Sequence, residues 1–227
     1  MKTLLARVSL VPLTALLCGV AAVPEQISNG EPRLPGFAAE LAQRAPLVGK
    51  SAWLATSDAD AWRRLSTASP DERQGARWDY ARGLIGGERG ADALGVLDVM
   101  YQDDRDLGMV DAYRLARGAA LTQLGRVEEA LAALDMPGLR GDPEACLWRM
   151  RALAEGELAE QALQQLACAG SALEHPRAMP FVLAAARAGV EGGAPEKALH
   201  WLSWTPDRDP AANLLRGRAL LAQGRAD

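Results

Sequence analysis

The chain has 227 residues, a net charge of −4 at pH 7 and 5% aromatic residues. Binding to nucleic acid needs net or clustered positive charge, so this composition disfavours a nucleic-acid partner. Alanine and leucine are abundant, and this mixture favours helices over strands in a chain long enough to bury a core.

The first 22 residues are organised like an export signal. Lys2 and Arg7 precede an apolar run that contains Pro12 and ends in the small residues 20–22, as a signal peptidase site requires. The run is shorter than the roughly 20 apolar residues that span a bilayer. We therefore expect residues 1–22 to be a signal peptide, and the mature chain to be periplasmic or otherwise exported, without an integral membrane span. An N-terminal membrane anchor is the alternative.

Two less regular regions follow the signal. Residues 23–36 hold three prolines and two glycines, which is the composition of a flexible linker. Residues 37–74 predict irregular N-terminal helices, with Asp58 as an N-cap of one of them. Pro70-Asp71-Glu72 predicts the start of another, with proline in the first turn and acids where the helix dipole favours them.

An internal repeat occupies residues 75–227. An Ala-Leu pair recurs at residues 93, 130, 162 and 198, and the intervals average 35 residues. Each pair follows a break that contains glycine, and each break follows a helical stretch. These first helices are predicted over residues 78–85, 112–124, 144–154 and 181–190. The predicted unit is therefore helix, glycine turn, helix, repeated four times.

This period is close to the 34 residues of the tetratricopeptide repeat. Residues 118–131 resemble that family, because Gly118, Gly125 and Ala130 match the small residues that let its two helices approach. The resemblance implies an all-α, right-handed α-solenoid of tetratricopeptide-like helix-turn-helix repeats. The sequence departs from the family where Leu121 replaces a large aromatic residue.

The last repeat is incomplete in this sequence. Residues 209–223 predict a first helix and Gly224 a turn, but no second helix follows. Terminal repeats of such stacks normally carry a polar capping helix. The hypothesis at this point is that the sequence is the N-terminal part of a longer protein or a truncated product.

Cys146 and Cys168 are the cysteines that remain once Cys18 leaves with the signal. Disulfides persist in exported proteins, so the two form a candidate bridge. They lie side by side if the helices that flank Gly156 run antiparallel. However, Cys168 shares a helix face with glutamines rather than with the apolar stripe, so a disulfide and two free thiols both stay open.

Arginine recurs at one position of the repeat, eleven residues before the aligned alanine, while the second unit has Ala119 there. In tetratricopeptide-like proteins this position lines the concave wall, so the resemblance implies an arginine ladder facing an anionic partner. The alternative is that each arginine pairs with a nearby acid, such as Glu144 or Glu191. The candidate partner-binding residues are Arg82, Arg151, Arg187 and Arg218.

No pattern in the sequence indicates catalysis, a cofactor or a metal. His175 and His200 are isolated, and no catalytic or phosphate-binding motif is present. The acidic run 102–106 lacks the glycine and closing glutamate of a calcium loop, which favours a solvated connector. We expect the tryptophans to be buried, although Trp201 and Trp204 share a helix face and could form a partner patch.

Together these patterns predict a non-catalytic periplasmic or envelope scaffold for protein–protein interaction. It would bind an extended protein or peptide, with an acidic one as an option, through a concave helical-repeat surface, because stacked helix pairs offer extended area with few convergent polar groups. One alternative is the N-terminal region of a larger envelope enzyme similar to lytic transglycosylases. Another is the same region of a polysaccharide or pilus export machine.

Overall fold

The computed structural model describes residues 36–53, 57–173 and 179–225. The predicted signal peptide (1–22) and all of the predicted linker except Gly36 lie outside these ranges, as does His175. Within them the protein is all-α, with twelve α-helices, three short 3-10 helices and no strand. No helix in the same ranges is both long and apolar enough to cross a membrane.

The structure confirms the four predicted first helices. They are Arg73–Gly86 (α4), Asp111–Gln123 (α6), Pro143–Glu155 (α8) and Met179–Glu191 (α10). The three helices before them are α1 (Phe37–Ala42), α2 (Gly49–Trp53) and α3 (Asp58–Thr67). The others are α5 (Gly90–Asp103), α7 (Val127–Leu134), α9 (Ala159–Ala169), α11 (Pro195–Leu202) and α12 (Pro210–Ala222). The 3-10 helices are Arg105–Met109, Pro137–Leu139 and Gly170–Ala172.

The helices from α4 onward pack in a regular order. Helix α4 pairs with α5, α6 with α7, α8 with α9, and α10 with α11. The first helix of each pair also packs on the first helix of the next, so that α4, α6, α8, α10 and α12 form a continuous series. We call this series the first-helix row.

The helix pairs turn through the same hydrogen-bonded motif. Between α6 and α7, Gly125 has a left-handed φ of 69°, and the N–H of Arg126 donates to the carbonyl of Leu121 at 3.0 Å. This is a Schellman motif, in which the amide after a left-handed residue satisfies a free carbonyl at the helix end. The left-handed residues of the equivalent motifs are Glu88, Gly125, Glu157, Gly193 and Gly224. The turn therefore repeats together with the sequence.

The four aligned alanines all lie in the buried apolar core. They are fully buried, and they are Ala93, Ala130, Ala162 and Ala198. A Cβ added at Gly118 would lie only 2.5 Å from Cγ of Leu134, and one at Gly189 would lie 3.0 Å from Cβ of Ala198. Small residues are needed because larger ones would separate the helices.

Helix α3 follows the pattern of a second helix, although the sequence analysis grouped it with the irregular N-terminal helices. It packs on α4, and Ala61, which lies 32 residues before Ala93, is fully buried. Its N-cap is Ser57, whose hydroxyl accepts from the N–H of Asp60 at 3.2 Å. The prediction of Asp58 as N-cap is therefore wrong by one residue, because the serine oxygen reaches the free amide of the first turn.

Residues 36–53, the N-terminal segment, leave this regular order and lie along the first-helix row. Helix α1 packs on α6, and α2 packs on α4. Asp104, in the acidic run 102–106, accepts a hydrogen bond from the N–H of Ala38 at 2.9 Å. A carboxylate of the predicted connector thus caps the first turn of α1.

The buried apolar residues form two clusters of different character. The larger one extends from α1 to α11 and includes the rings of Trp53, Trp78 and Trp148. The smaller one joins α10, α11 and α12 and is built only from alanine and leucine: Ala186, Ala198, Leu202, Ala212, Leu215 and Ala219. The C-terminal end of the row therefore buries smaller apolar side chains than the rest of the row does.

Candidate functional site

Arg151 is the most buried of the four candidate arginines, with its side chain only 7% exposed. Its Nη1 and Nη2 donate to the two carboxylate oxygens of Glu88 at 2.8 and 2.7 Å, and its Nε donates to Glu155 at 2.8 Å. Burial disfavours the charged guanidinium, but the hydrogen bonds to Glu88 and Glu155 outweigh this desolvation and raise the pKa of Arg151. Arg151 is therefore a charged internal cross-link.

The Arg151–Glu88 pair joins helix pairs that are not neighbours in the chain. Glu88 is the left-handed residue of the α4–α5 turn, and Arg151 lies on α8, with α6 between them in the first-helix row. The corresponding residue of α6 is Ala119, which is fully buried. The arginine position of the intervening unit is therefore filled by a small, buried residue.

An aromatic cluster surrounds this guanidinium. The rings of Trp148 and Phe181 meet edge to face with centroids 4.7 Å apart, and Trp53 meets Trp148 at 5.7 Å. The guanidinium of Arg151 lies over the rings of Trp148 and Phe181 at 5.5 and 5.3 Å. Cation–π contact and edge-to-face packing both add to the burial of these rings.

The N-terminal segment is bound to the row by main-chain and side-chain hydrogen bonds. Glu144, at the start of α8, is 2% exposed and accepts from the N–H of Gly49 at 3.0 Å and from the indole N–H of Trp53 at 2.9 Å. Arg82 donates from Nη1 to the carbonyl of Ala52 at 3.2 Å. Helices α4 and α8 thus hold the single turn of α2 between them.

The other arginine environments differ along the row. Arg82 pairs with Asp79 and lies 5.9 Å over the ring of Trp78. Arg218 pairs with Glu191 at 3.3 Å, and its side chain is 47% exposed. Arg187 is exposed and forms no ion pair within the described ranges. The four arginines therefore do not form one exposed ladder. Arg82, Arg151 and Arg218 each bind another part of the chain, and the side chains of Arg82 and Arg151 are only 20% and 7% exposed.

Cys146 and Cys168 are joined by a disulfide that links α8 to α9, with their Cα atoms 5.8 Å apart. Nη2 of Arg149 lies 3.0 Å from Sγ of Cys146, and the same side chain donates to the carbonyl of Leu134 at 2.9 Å. Cys168 is half-buried, and its helix face is mostly polar. It is nevertheless bonded to Cys146 of the neighbouring helix, so the two cysteines are not free thiols.

The tryptophans divide between core and surface. Burial is confirmed for the four rings Trp53, Trp78, Trp148 and Trp201, but Trp62 and Trp204 are exposed. The ring of Trp204 meets that of His200 edge to face, with centroids 5.1 Å apart, and it lines a groove of about 600 Å³ between α9 and α11. The predicted patch thus contains one exposed indole, because Trp201 turns into the core.

The described residues contain no cluster of three or more histidine, cysteine, aspartate or glutamate side chains arranged to bind a metal ion. No family model, curated protein or solved structure matches the chain.

Two features of the site were missed by sequence reasoning. The main partner of Arg151 is Glu88, 63 residues away, whereas spacing along a helix identifies only its partner Glu155. Glu144 was named as a possible arginine partner, and its role in binding the N-terminal segment was not foreseen. The only sequence signal for this role was a carboxylate in the first turn of a largely apolar helix.

Proposed function

We propose that the protein is a non-catalytic scaffold that binds an extended polypeptide along its first-helix row, within a right-handed tetratricopeptide-like α-solenoid. The observation that supports this is that the row already holds residues of its own N-terminal segment. Arg82 binds a main-chain carbonyl and Glu144 a main-chain amide of that segment. Such contacts recognise a polypeptide backbone, which any peptide partner also offers.

The C-terminal part of the row is the free binding surface in this proposal. Arg187 is exposed and Arg218 is half-exposed, so their guanidinium groups can reach an incoming carboxylate. Arginine binds carboxylates through paired hydrogen bonds, and exposed charges raise the rate of encounter more than they raise affinity. The proposed partner is therefore an extended protein segment with acidic residues.

The proposed location is the periplasm or another exported compartment. The disulfide between Cys146 and Cys168 supports this part of the proposal, because disulfides persist mainly in oxidising compartments. The predicted signal peptide, residues 1–22, is in keeping with it. Fractionation of cells that express the full chain tests the location: recovery of the oxidised protein in the cytoplasm would contradict it.

Charge reversal tests the binding surface. The full-length double variant Arg187→Glu, Arg218→Glu, used as bait in an envelope extract, should capture at least tenfold less partner than the wild type does. Quantitative mass spectrometry measures the amount of captured partner. The matched control is Arg63→Glu, Arg208→Glu, which changes the net charge equally at exposed positions outside the row. Equal capture by the two variants, with unchanged unfolding temperatures, would contradict the proposal.

A further inference from the structure

The geometry points to a peptide-binding pocket formed by Arg82, Glu144 and Trp148, in which residues 49–53 act as an internal ligand that a partner peptide displaces. The partner chemistry is a short helical turn with glycine four residues before tryptophan. This inference rests on the proposed function and names the kind of segment that the row accepts.

The occupant of the pocket must donate hydrogen bonds to Glu144. The carboxylate of Glu144 is buried and receives the amide of Gly49 and the indole N–H of Trp53. A buried carboxylate that loses such donors pays a desolvation penalty, so an apolar side chain cannot replace them. The occupant must therefore supply both a free amide and an aromatic ring that bears a donor.

The shape of the pocket also selects a ring. Trp53 is 4% exposed, and its indole meets the edge of Trp148 at 5.7 Å. Arg82 binds the carbonyl of the preceding residue, Ala52, at 3.2 Å. The ring, the carbonyl before it and the amide four residues before it are thus fixed together, so the part of the partner that enters this pocket is a single turn of helix.

Glycine is selected at the first position of this turn. Gly49 has a φ of +73°, which L side chains rarely adopt, and its N–H makes the bond to Glu144. Among the six tryptophans of the chain, only Trp53 follows a glycine by four residues. The recognised motif is therefore Gly-x-x-x-Trp, and the chain itself carries it once.

Displacement is feasible because the internal ligand is small. Helix α2 has five residues, and isolated helices of this length are unstable in water. Short elements with few buried contacts open more readily than the core around them. A partner with the same motif supplies the same amide and indole donors to Glu144, so the exchange replaces equivalent contacts.

A synthetic peptide of residues 47–53, blocked at both ends and labelled with a dye, tests the inference by fluorescence anisotropy. The full-length Trp53→Ala variant, whose pocket is emptied, should bind this peptide at least tenfold more tightly than the wild type does. A peptide with alanine in place of the tryptophan should not bind. Adding Glu144→Gln to the Trp53→Ala variant should weaken binding at least tenfold, whereas Glu160→Gln, at an exposed acid on α9, should not.

A second variant keeps the test valid if Trp53→Ala does not fold. Trp53→Phe keeps a ring in the pocket and removes only the donor, and it should also bind the peptide more tightly than the wild type. Absence of peptide binding by a folded variant would overturn the inference, as would equal binding of the alanine peptide. A wild-type dimer in light scattering that is lost in Trp53→Ala would overturn it too, because the segment would then be exchanged between two copies.

The two proposals fail separately. If the peptide does not bind but capture of the partner still depends on Arg187 and Arg218, only the inference about the pocket is wrong. If the peptide binds but charge reversal at those arginines does not change capture of the partner, the proposed binding surface is wrong instead.

Discussion

Arg151 and Arg187 occupy the same repeat position in adjacent units of the first-helix row, but their surroundings differ. Arg151 is bound by Glu88 and Glu155 and lies under the aromatic cluster, whereas Arg187 is exposed. The N-terminal part of the row is covered by residues 36–53, and the C-terminal part is not covered by that segment. What packs over a repeat position therefore decides whether its arginine stabilises the fold or is available to a partner.

The two parts of the row also differ in their cores. Large rings such as Trp78 and Trp148 fill the N-terminal part, while the buried residues of the cluster that joins α10, α11 and α12 are alanines and leucines. Apolar burial stabilises roughly in proportion to area, at about 25 cal/mol per Å². We therefore expect α11 and α12 to exchange their amide hydrogens before α6 and α8.

The largest expected effect comes from truncating a ring in each part. Trp148→Ala should lower the free energy of unfolding by about 3 to 5 kcal/mol, because it removes a fully buried ring that packs on Trp53 and Phe181. Trp204→Ala, at a 41% exposed ring, should change it by less than about 1 kcal/mol. Urea denaturation measures both, and similar losses would contradict the placement of Trp148 in the core and of Trp204 at the surface.

A methyl group added at the same repeat position should have opposite effects in the two parts. Gly118→Ala should destabilise by about 1 to 3 kcal/mol, because its Cβ would clash with Leu134. Gly217→Ala should stabilise by about 0.5 to 1 kcal/mol, since open space surrounds this glycine inside α12 and alanine favours the helix. Thermal unfolding followed by circular dichroism gives the sign; the same sign for both variants would be inconsistent with this packing.

The two glutamates in left-handed turns separate backbone strain from ion pairing. Glu157→Gly should stabilise by about 1 kcal/mol, because glycine relieves a φ of 62° at an exposed side chain. Glu88→Gly relieves a similar φ but removes two hydrogen bonds to buried Arg151, so a net loss of about 1 to 2 kcal/mol is expected. Stabilisation by both substitutions would mean that the cross-link contributes nothing.

The smallest expected effect concerns pH. Burial raises the pKa of Tyr113, whose hydroxyl donates to the carbonyl of Leu97 at 2.9 Å. Because the folded-state pKa is the higher one, the stabilisation is complete below about pH 10, the ordinary tyrosine value, and is lost as pH rises through the folded pKa. Tyr113→Phe should cost about 1 kcal/mol at pH 8 and flatten the decline in stability above pH 10. Tyr80→Phe serves as control, and an unchanged alkaline slope in Tyr113→Phe would contradict the assignment.

The sequence was sufficient for the four first helices of the repeat and for the turns that follow them, because both depend on local information. The alanine spacing located the first helices, and the glycine breaks located the turns that reverse the chain. The packing of residues 49–53 on α4 and α8 was not predictable, because it depends on Glu144, more than 90 residues away. Likewise, no local pattern pairs Arg151 with Glu88; only the order of helices in three dimensions brings them together.

The disulfide between Cys146 and Cys168 spans the exposed turn residue Glu157. A protease that cuts the chain after Glu157 would leave two fragments that are still covalently attached. Such a nick would be invisible on a non-reducing gel and would release two bands only after a thiol reductant is added. The covalent continuity of α8 and α9 thus survives cleavage at the site where the turn is most accessible.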